Sequence, residues 1–433
     1  MKFYNREQEL EILQKADSLS KKHSVMSVLI GRRRIGKTAL ALKVNQDAIY
    51  FFTSKKDETL LCDEFISELS SHGIKTFGQF NKFEELFAYI LEISKSRPLT
   101  LIIDEFQDFY KVNPTVFAAI QKLWDLHKNE TKLHLIICGS LYSLMRKIFE
   151  DSKEPLFGRA DFKILLKPLK VSVLKEILQD YNSYTKENLL DLYTITGGVA
   201  KYLELFVLYE AFTLEDMINE IVSPNSLFLD EGKNRLIEEF GKEYMTYFSI
   251  LSLMAASKTS RSEIESVLQK NISGYLERLD KDYDVIKPLK PINAKPNSKT
   301  QKYEIVDNFI NFWFRFIYKY QTIIEAGNYA ALREIIIRDF SSYKGKYLEK
   351  LFREMFVDAA LYTKIGNYWE RGNKNEIDII GINELKKELD IYEVKLNPQK
   401  LNKNELILKS ANLIQEYKEY KIEYKLLSLD DLL

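Results

Sequence analysis

The 433-residue chain has little cysteine: Cys62 and Cys138 are its only two. They have no C-x-x-C partners, which excludes a disulfide framework and points to a reducing compartment. Histidine is as scarce, and His23, His72, His127 and His134 are too scattered to form a histidine metal cluster. Net charge is absent, since 63 Lys+Arg balance 63 Asp+Glu, so the chain is no uniformly basic nucleic-acid coat, although local patches stay open. No apolar run approaches the roughly 18 residues of a membrane-spanning helix. Even FINFWFRFIYKY is interrupted by Asn311, Arg315 and Lys319. The opening MKFYNREQEL lacks the apolar centre of a secretion signal. Internal repeats and low-complexity tracts are missing too. These absences predict a soluble cytoplasmic protein with no membrane partner.

What the chain does have is core material: 45% of residues are apolar and 13% aromatic. A single core stops growing near ~250–300 residues, so several domains are expected. VMSVLI (Val25 to Ile30), AIYFF (Ala48 to Phe52), LTLIID (Leu99 to Asp104), LHLIIC (Leu133 to Cys138) and FKILL (Phe162 to Leu166) read as buried strands. Each is separated from the next by enough chain for a crossover helix. Continuous apolar strands alternating with helices predict an α/β fold with a parallel sheet covered on both faces. From Pro168 to about Glu239 the pattern is helical, broken at Gly197-Gly198. From Tyr244 to Asp307 it predicts three short helices and a hairpin, with Ser260-Arg-Ser-Glu263 as a capping box and a third helix from Ile272 to Leu279.

Gly31-Arg-Arg-Arg-Ile-Gly36-Lys37-Thr38 fits the phosphate loop G-x-x-x-x-G-K-[ST], directly after a strand and opening a helix. Its backbone N–H groups wrap a β-phosphate, Lys37 reaches the β- and γ-phosphates, and the Thr38 hydroxyl ligates Mg²⁺. Four apolar strand residues ending in Asp104 place a second Mg²⁺ partner at the same sheet edge. Glu105 follows immediately and is the candidate base for the attacking water. No guanine-specifying tetrapeptide lies downstream, so ATP is the expected nucleotide. Ser140, ending the next strand, either touches the γ-phosphate or caps a helix. Arg159 in FGRAD is either an arginine finger or a surface salt bridge.

FYNREQEL, GRRRIGKT, LIIDEFQ, LIICGS, PLFGRAD and TGGVAKYL together resemble the archaeal-type P-loop ATPases related to the AAA+ and STAND superfamilies. The resemblance implies a P-loop NTPase sheet in the order 5-1-4-3-2 and a helical lid. It also implies an N-terminal box near the adenine, with Arg6 as the contact. The family's lid carries Gly-Gly-x-Pro, whereas this chain has Ala200 in place of the proline.

The three-helix pattern and its hairpin resemble a winged helix-turn-helix. Between Lys287 and Lys302 lie five lysines (Lys287, Lys290, Lys295, Lys299, Lys302), three prolines and no acid. Such a tip either straddles a phosphate backbone or is the solvated loop of a spacer. Phe309, Phe312, Trp313, Phe316 and Tyr320 recur at helical spacing and read as a buried stripe.

Near the end, Asn375-Glu376-Ile-Asp378 is followed by Ile391-Tyr-Glu393-Val-Lys395. Glu393 and Lys395 share one strand face. With Asp378 they can bind Mg²⁺ and orient water for phosphodiester hydrolysis; the plainer alternative is an edge strand with a Glu–Lys pair. The spacing resembles the PD-(D/E)xK nuclease fold, in which Glu349 becomes the early acidic residue. The expected divisions are 1–166, P-loop ATPase core; 167–240, lid; 241–308, winged helix; and 309–433, restriction-endonuclease-like α/β domain. The combination implies an Mg²⁺-dependent ATPase coupling nucleotide state to DNA binding and cleavage, with nucleotide-dependent self-association a further expectation. The alternative is a STAND-like nucleotide switch or scaffold whose last domain binds without cleaving.

Overall fold

The computed structural model describes residues 2–432 except Phe77, Leu141, Pro296, Asn297 and Lys299. One of the five hairpin lysines, Lys299, therefore lies outside the described residues. The chain divides into two compact units, Lys2–Pro168 and Leu169–Leu433.

In the first unit the apolar runs form strands β1 (Val25–Ile30), β2 (Ile49–Phe52), β3 (Leu99–Asp104), β4 (Leu133–Gly139) and β5 (Phe162–Leu165). They pair in parallel in the order β2-β3-β4-β1-β5, the expected order read from the other edge. The runs are continuous because both faces are covered. Val28, Leu101, Ile103, Leu135 and Ile137 pack into one core with Phe51, Phe65, Phe83, Phe106 and Trp124. Their alternates Leu29, Ile102, Ile136 and Cys138 enter a second core with Leu13, Leu40 and Ile164. The parallel arrangement brings the carboxyl ends of β1, β3 and β4 to one edge. The segment before β5 is at the other: Asp161 N–H bonds Met26 C=O (2.9 Å), and Asp161 Oδ2 accepts from Met26 N–H (2.8 Å).

The second unit opens with helices Val171–Asp180, Lys186–Thr196, Ala200–Leu208, Leu214–Ile221 and Leu227–Phe240. Gly198 (φ +78°) lets the backbone pass so close to Leu169 that a Cβ would fall 2.2 Å from its carbonyl oxygen. Ala200 is the first residue of its helix and follows an extended Val199 (φ −70°, ψ 117°). A proline fits that position for the same reasons, so its absence leaves the helix start intact.

Helices Tyr244–Ala255, Arg261–Leu268 and Ser273–Lys281 then lead into the antiparallel hairpin β6 (Ile286–Leu289) and β7 (Lys302–Ile305). Both halves of the Ser260/Glu263 capping box form. A cleft of about 720 Å³ between these helices and the hairpin is lined by both charges, among them Arg261, Glu265, Glu277, Asp280 and Lys290. Four of the five stripe aromatics are core, since Phe309, Phe312, Trp313 and Phe316 are buried while Tyr320 is half-buried, and the Trp313 indole N–H bonds Leu229 C=O at 2.7 Å. A 30-residue helix, Tyr329–Asp358, precedes strands β8 (Lys364–Glu370), β9 (Lys374–Asn383), β10 (Glu388–Val394) and β11 (Lys421–Leu427). The sheet order is β11-β10-β9-β8, with β10 and β11 parallel and the other pairs antiparallel.

Candidate functional site

The phosphate loop leaves β1 at the carboxyl edge and closes on Gly36, whose φ of +95° begins helix Lys37–Leu42. Gly31 stands where a Cβ would meet Leu166 O at 3.0 Å. Lys37 is buried, and its ammonium donates to the carbonyls of Gly31 (2.9 Å) and Arg32 (3.0 Å) inside the loop. Burial pulls its pKa down, while Glu105 and Asp104 hold it up. A phosphate in the loop would be a further counter-charge for this buried cation.

Thr38 Oγ1 donates to Asp104 Oδ2 at 2.6 Å, joining the phosphate-loop helix to the end of β3. Hard oxygen donors placed this way suit a Mg²⁺ ion, so Thr38 and Asp104 are the residues that would hold it. Tyr50 on β2 also donates to Asp104 Oδ2, at 3.1 Å. Its signal was invisible in the sequence because only the β2–β3 pairing brings it there.

Glu105 adopts a left-handed conformation (φ +51°), which lifts its carboxylate out of the strand register. Its Oε2 accepts from Ser140 Oγ (2.6 Å) and Gln107 Nε2 (2.5 Å), and Arg33 Nε lies 3.9 Å from its Oε1. Of the two readings of Ser140, the hydroxyl is engaged with the candidate base. Gly139 is tight: a Cβ there would overlap the Met145 side chain at 2.3 Å.

Two expected residues are engaged elsewhere. Arg6 is buried, donating to Lys167 C=O (2.7 Å) and Ile35 C=O (3.4 Å) and pairing with Glu9 (3.2 Å). It therefore braces the phosphate loop from behind. Arg159 pairs with Asp125 (2.9 Å) at the amino edge of the sheet, away from its own chain's phosphate loop. A parallel sheet puts the segment entering β5 at that edge, so the salt-bridge reading describes Arg159 within the chain.

In the second unit, β9 and β10 bring Asp378, Glu393 and Lys395 together. Lys395 Nζ lies 3.0 Å from Asp378 Oδ2 and 3.6 Å from Glu393 Oε1. Val394 N–H also donates to Asp378 Oδ2 (2.8 Å), and Lys409, which carried no sequence signal, pairs with Glu393 (3.2 Å). Glu393 Oε2 is buried without a hydrogen-bond partner among the described residues. Burial raises the pKa of Asp378 despite Lys395. Glu349 on the long helix is pushed up to about 8 by burial and then by Asp378.

Among the described residues no three His, Cys, Asp or Glu side chains converge as a metal-ligand group. The structure thus brings together Asp378, Glu393 and Lys395, with Glu349 influencing them through its field. An unpartnered buried carboxylate oxygen beside two raised carboxyls fits a divalent cation held by Asp378 and Glu393.

The hairpin lysines are not all available for a phosphate backbone. Lys302 pairs with Glu376 (2.9 Å) and lies over the Trp369 ring (4.7 Å). Ile292, at the hairpin tip, joins the core of the C-terminal sheet and donates its N–H to Asn367 C=O (2.8 Å).

A parallel sheet with a phosphate loop, a Thr–Asp pair and a held glutamate at its carboxyl edge defines a P-loop ATPase. Residues 3–206 match the family described as an ATPase domain predominantly from Archaea, and residues 313–407 match a family of archaeal and bacterial proteins of unknown function. The uncharacterized protein MJECL04 of Methanocaldococcus jannaschii is 30% identical over 99% of this chain and 93% of its own length. The chain belongs to this archaeal-type ATPase family, whose members bind and hydrolyse ATP. Among solved structures, the Walker-type ATPase PABY2304 of Pyrococcus abyssi superposes with a TM-score of 0.57 at 18% identity, over 72% of this chain and 96% of that one. The ORC2 protein of Aeropyrum pernix, solved in ADPNP–ADP complexes, gives 0.51 at 14% identity, over 75% and 95%. Both show the same fold.

Proposed function

We propose that this chain is a Mg²⁺-dependent ATPase that couples its nucleotide state to binding DNA and to metal-dependent hydrolysis of a phosphodiester in the C-terminal sheet domain. At the first site Lys37 and the loop amides bind the β- and γ-phosphates, and Thr38 and Asp104 hold the ion. Bound Mg²⁺ supplies charge neutralisation across those phosphates. Glu105 is stored on Ser140 and Gln107, and exchanging one of those bonds for a water lets it orient and deprotonate the attacking oxygen.

The observation that carries the second activity is the Asp378–Lys395–Glu393 constellation across adjacent strands, with its unpartnered oxygen. Asp378 and Glu393 would hold a divalent ion there, which when bound polarises a phosphodiester and lowers the pKa of water. Lys395 orients that water or offsets the developing charge.

Docking of the hairpin onto β8 and β9 favours a second reading, a nucleotide switch whose last domain binds without cutting. One experiment separates them. Purified protein is incubated with supercoiled, linear and branched DNA, with Mg²⁺ or Mn²⁺, with and without ATP, beside Lys37→Ala, Glu105→Gln and Asp378→Ala. The expected result is ATP turnover lost in the first two variants, with ATP binding retained in Glu105→Gln; DNA cleavage is abolished in Asp378→Ala, whereas Lys37→Ala keeps the cleavage chemistry but loses its response to ATP. ATP turnover without cleavage of any DNA would leave the switch reading. Wild-type turnover by Glu105→Gln would remove that residue from the role of base.

A further inference from the structure

We propose that Arg315 and Lys346 form a phosphate-binding station beside the Asp378–Glu393–Lys395 cluster, taking the backbone of a nucleic-acid strand next to the bond presented there. This rests on the phosphodiester reading of that cluster and adds to it where the strand is gripped.

After helix Asn308–Phe312 the chain makes a π-helical turn, Trp313–Ile317, whose other four side chains are buried. Such turns are uncommon and recur at functional positions. Arg315 is the cation left at the surface of this apolar turn. Its recorded contact is with the ring of Phe316 (5.8 Å), and among the described residues it has no hydrogen bond or ion pair. The carboxylate whose charge it feels, Asp339, is taken by Arg338 through bonds of 2.8 and 3.1 Å.

Lys346 comes from the long helix. Its ammonium donates to Asn311 Oδ1 at 3.3 Å and lies over the Tyr343 (4.8 Å) and Tyr347 (5.1 Å) rings. The same Asn311 oxygen already accepts from Tyr343 OH (3.2 Å). Asn311 and Arg315 are about one turn apart on one helix face, so the lysine that reaches Asn311 is a neighbour of the guanidinium. Lys350, a turn further on, is anchored to Val306 C=O (3.1 Å) and Asn308 Oδ1 (2.7 Å).

The groups facing Lys346 are therefore the cations Lys350 and Arg315 and the carboxylates Glu304 and Glu349. Lys346 is exposed as a residue, but its ammonium sits over the two tyrosine rings, and this crowding together with the two cations lowers its pKa against the pull of the carboxylates. Adjacent cations with this little compensation form an anion site, and a guanidinium beside an ammonium suits the two non-bridging oxygens of a phosphodiester. Glu349 lies three residues beyond Lys346, or ~5 Å along the helix axis, and it is close enough to feel the charges of Asp378 and Lys395. A phosphate held by Arg315 and Lys346 is thus near any phosphate bound at Asp378, Glu393 and Lys395. A free nucleotide or inorganic phosphate would use the same chemistry without needing that proximity.

The test uses the full chain in EDTA, so that binding is read without cleavage. Fluorescence anisotropy of labelled single-stranded and duplex DNA oligonucleotides is measured over a salt series for wild type, Arg315→Gln, Lys346→Gln and the double variant. Arg315→Lys and Lys346→Arg serve as rescues, Lys319→Gln as a control, and thermal melts check folding. Removing one phosphate contact should lower the slope of log Kd against log salt by ~0.7–0.9. Each Gln variant should lose about one such step and the double variant about two, while the rescues and Lys319→Gln keep the wild-type slope. Unchanged slopes in folded Gln variants, or no oligonucleotide binding by wild type, would overturn the station. Phosphate or ATP binding that depends on these residues, without oligonucleotide binding, would reassign it to a small anion and equally overturn it. Slope losses in a protein that never cleaves DNA would keep the station and remove the catalytic reading, so the two fail separately.

Discussion

Arg6 shows how a single residue can carry a family signal and yet do something the signal does not name. The N-terminal box suggested an adenine contact, but the guanidinium faces the carbonyls of Lys167 and Ile35. Burial lowers its pKa, with Glu9 opposing, so it acts as a buried strut between the phosphate loop and the exit of β5. Arg6→Gln should leave those carbonyls poorly paired at about 1–3 kcal/mol each and lower the melting temperature. ATP should still raise that temperature. Lys37→Ala should do the reverse, melting close to wild type with no ATP-dependent rise. An Arg6→Gln protein that melted normally but lost the ATP response would restore the adenine contact. The phosphate-site residues themselves were legible because the motif is contiguous: Lys37, Thr38, Asp104 and Glu105 sit where strand-then-motif logic put them. Tyr50 and Lys409 were not, since each meets its carboxylate partner only through tertiary packing. The same limit works the other way for Ser27 and His134. Their 2.9 Å contact looks like part of a hydrolytic relay, but both are fully buried inside the sheet.

Elements were readable wherever local chemistry decides them. The Ser260/Glu263 box, the helix now spanning Ser273–Lys281 and the five β-strands of the first unit follow from capping and apolar runs. By contrast, β8 and β11 were not legible, because an edge strand such as KIEYKLL is half-buried from Ile422 onward and lacks a clean alternation. The hairpin was readable as a shape but not as a contact. Its lysines suggested a free basic tip, whereas Ile292 and Lys302 are committed to the C-terminal sheet. Glu263 gives the capping box a pH signature. The Ser260 hydroxyl, then its backbone N–H, holds the Glu263 carboxyl below its usual range. A depressed carboxyl stabilises the fold above the unfolded pKa of about 4.3 and loses that contribution as pH falls through the lower folded value. Glu263→Ala should therefore cost about 1 kcal/mol near neutrality, and the gap to wild type in thermal melts should close below about pH 4. A gap that stayed constant down to pH 3 would mean that the charge takes no part in the cap.

At the scale of the whole chain, the zero net charge is an average over an arginine-rich loop, a lysine hairpin and a buried carboxylate pair. The second unit joins parts that sequence reading had kept separate. The long helix Tyr329–Asp358 carries Glu349, which feels the charge of Asp378, and it is also tied to helix Lys186–Thr196. Lys344 pairs with the buried Asp191 at 2.8 Å, while Asn308 bonds Tyr193 C=O (2.8 Å) and accepts from Lys350 (2.7 Å). A displacement of helix Lys186–Thr196 is thereby linked to the helix that bears Glu349. The Lys344–Asp191 pair tests this link. Lys344→Met leaves a buried carboxylate without its cation and should cost about 3–5 kcal/mol. Adding Asp191→Leu removes the stranded charge and should recover most of the loss. Burial already raises the Asp191 pKa, with Lys344 opposing, so without the lysine the carboxyl is easier to protonate. The cost of Lys344→Met should accordingly shrink as pH falls and Asp191 becomes neutral. Thermal denaturation of wild type, both single variants and the double variant at two pH values gives the coupling directly. If the single-variant losses simply add, the pair exerts no coupling and helix Lys186–Thr196 is held to Tyr329–Asp358 by packing alone.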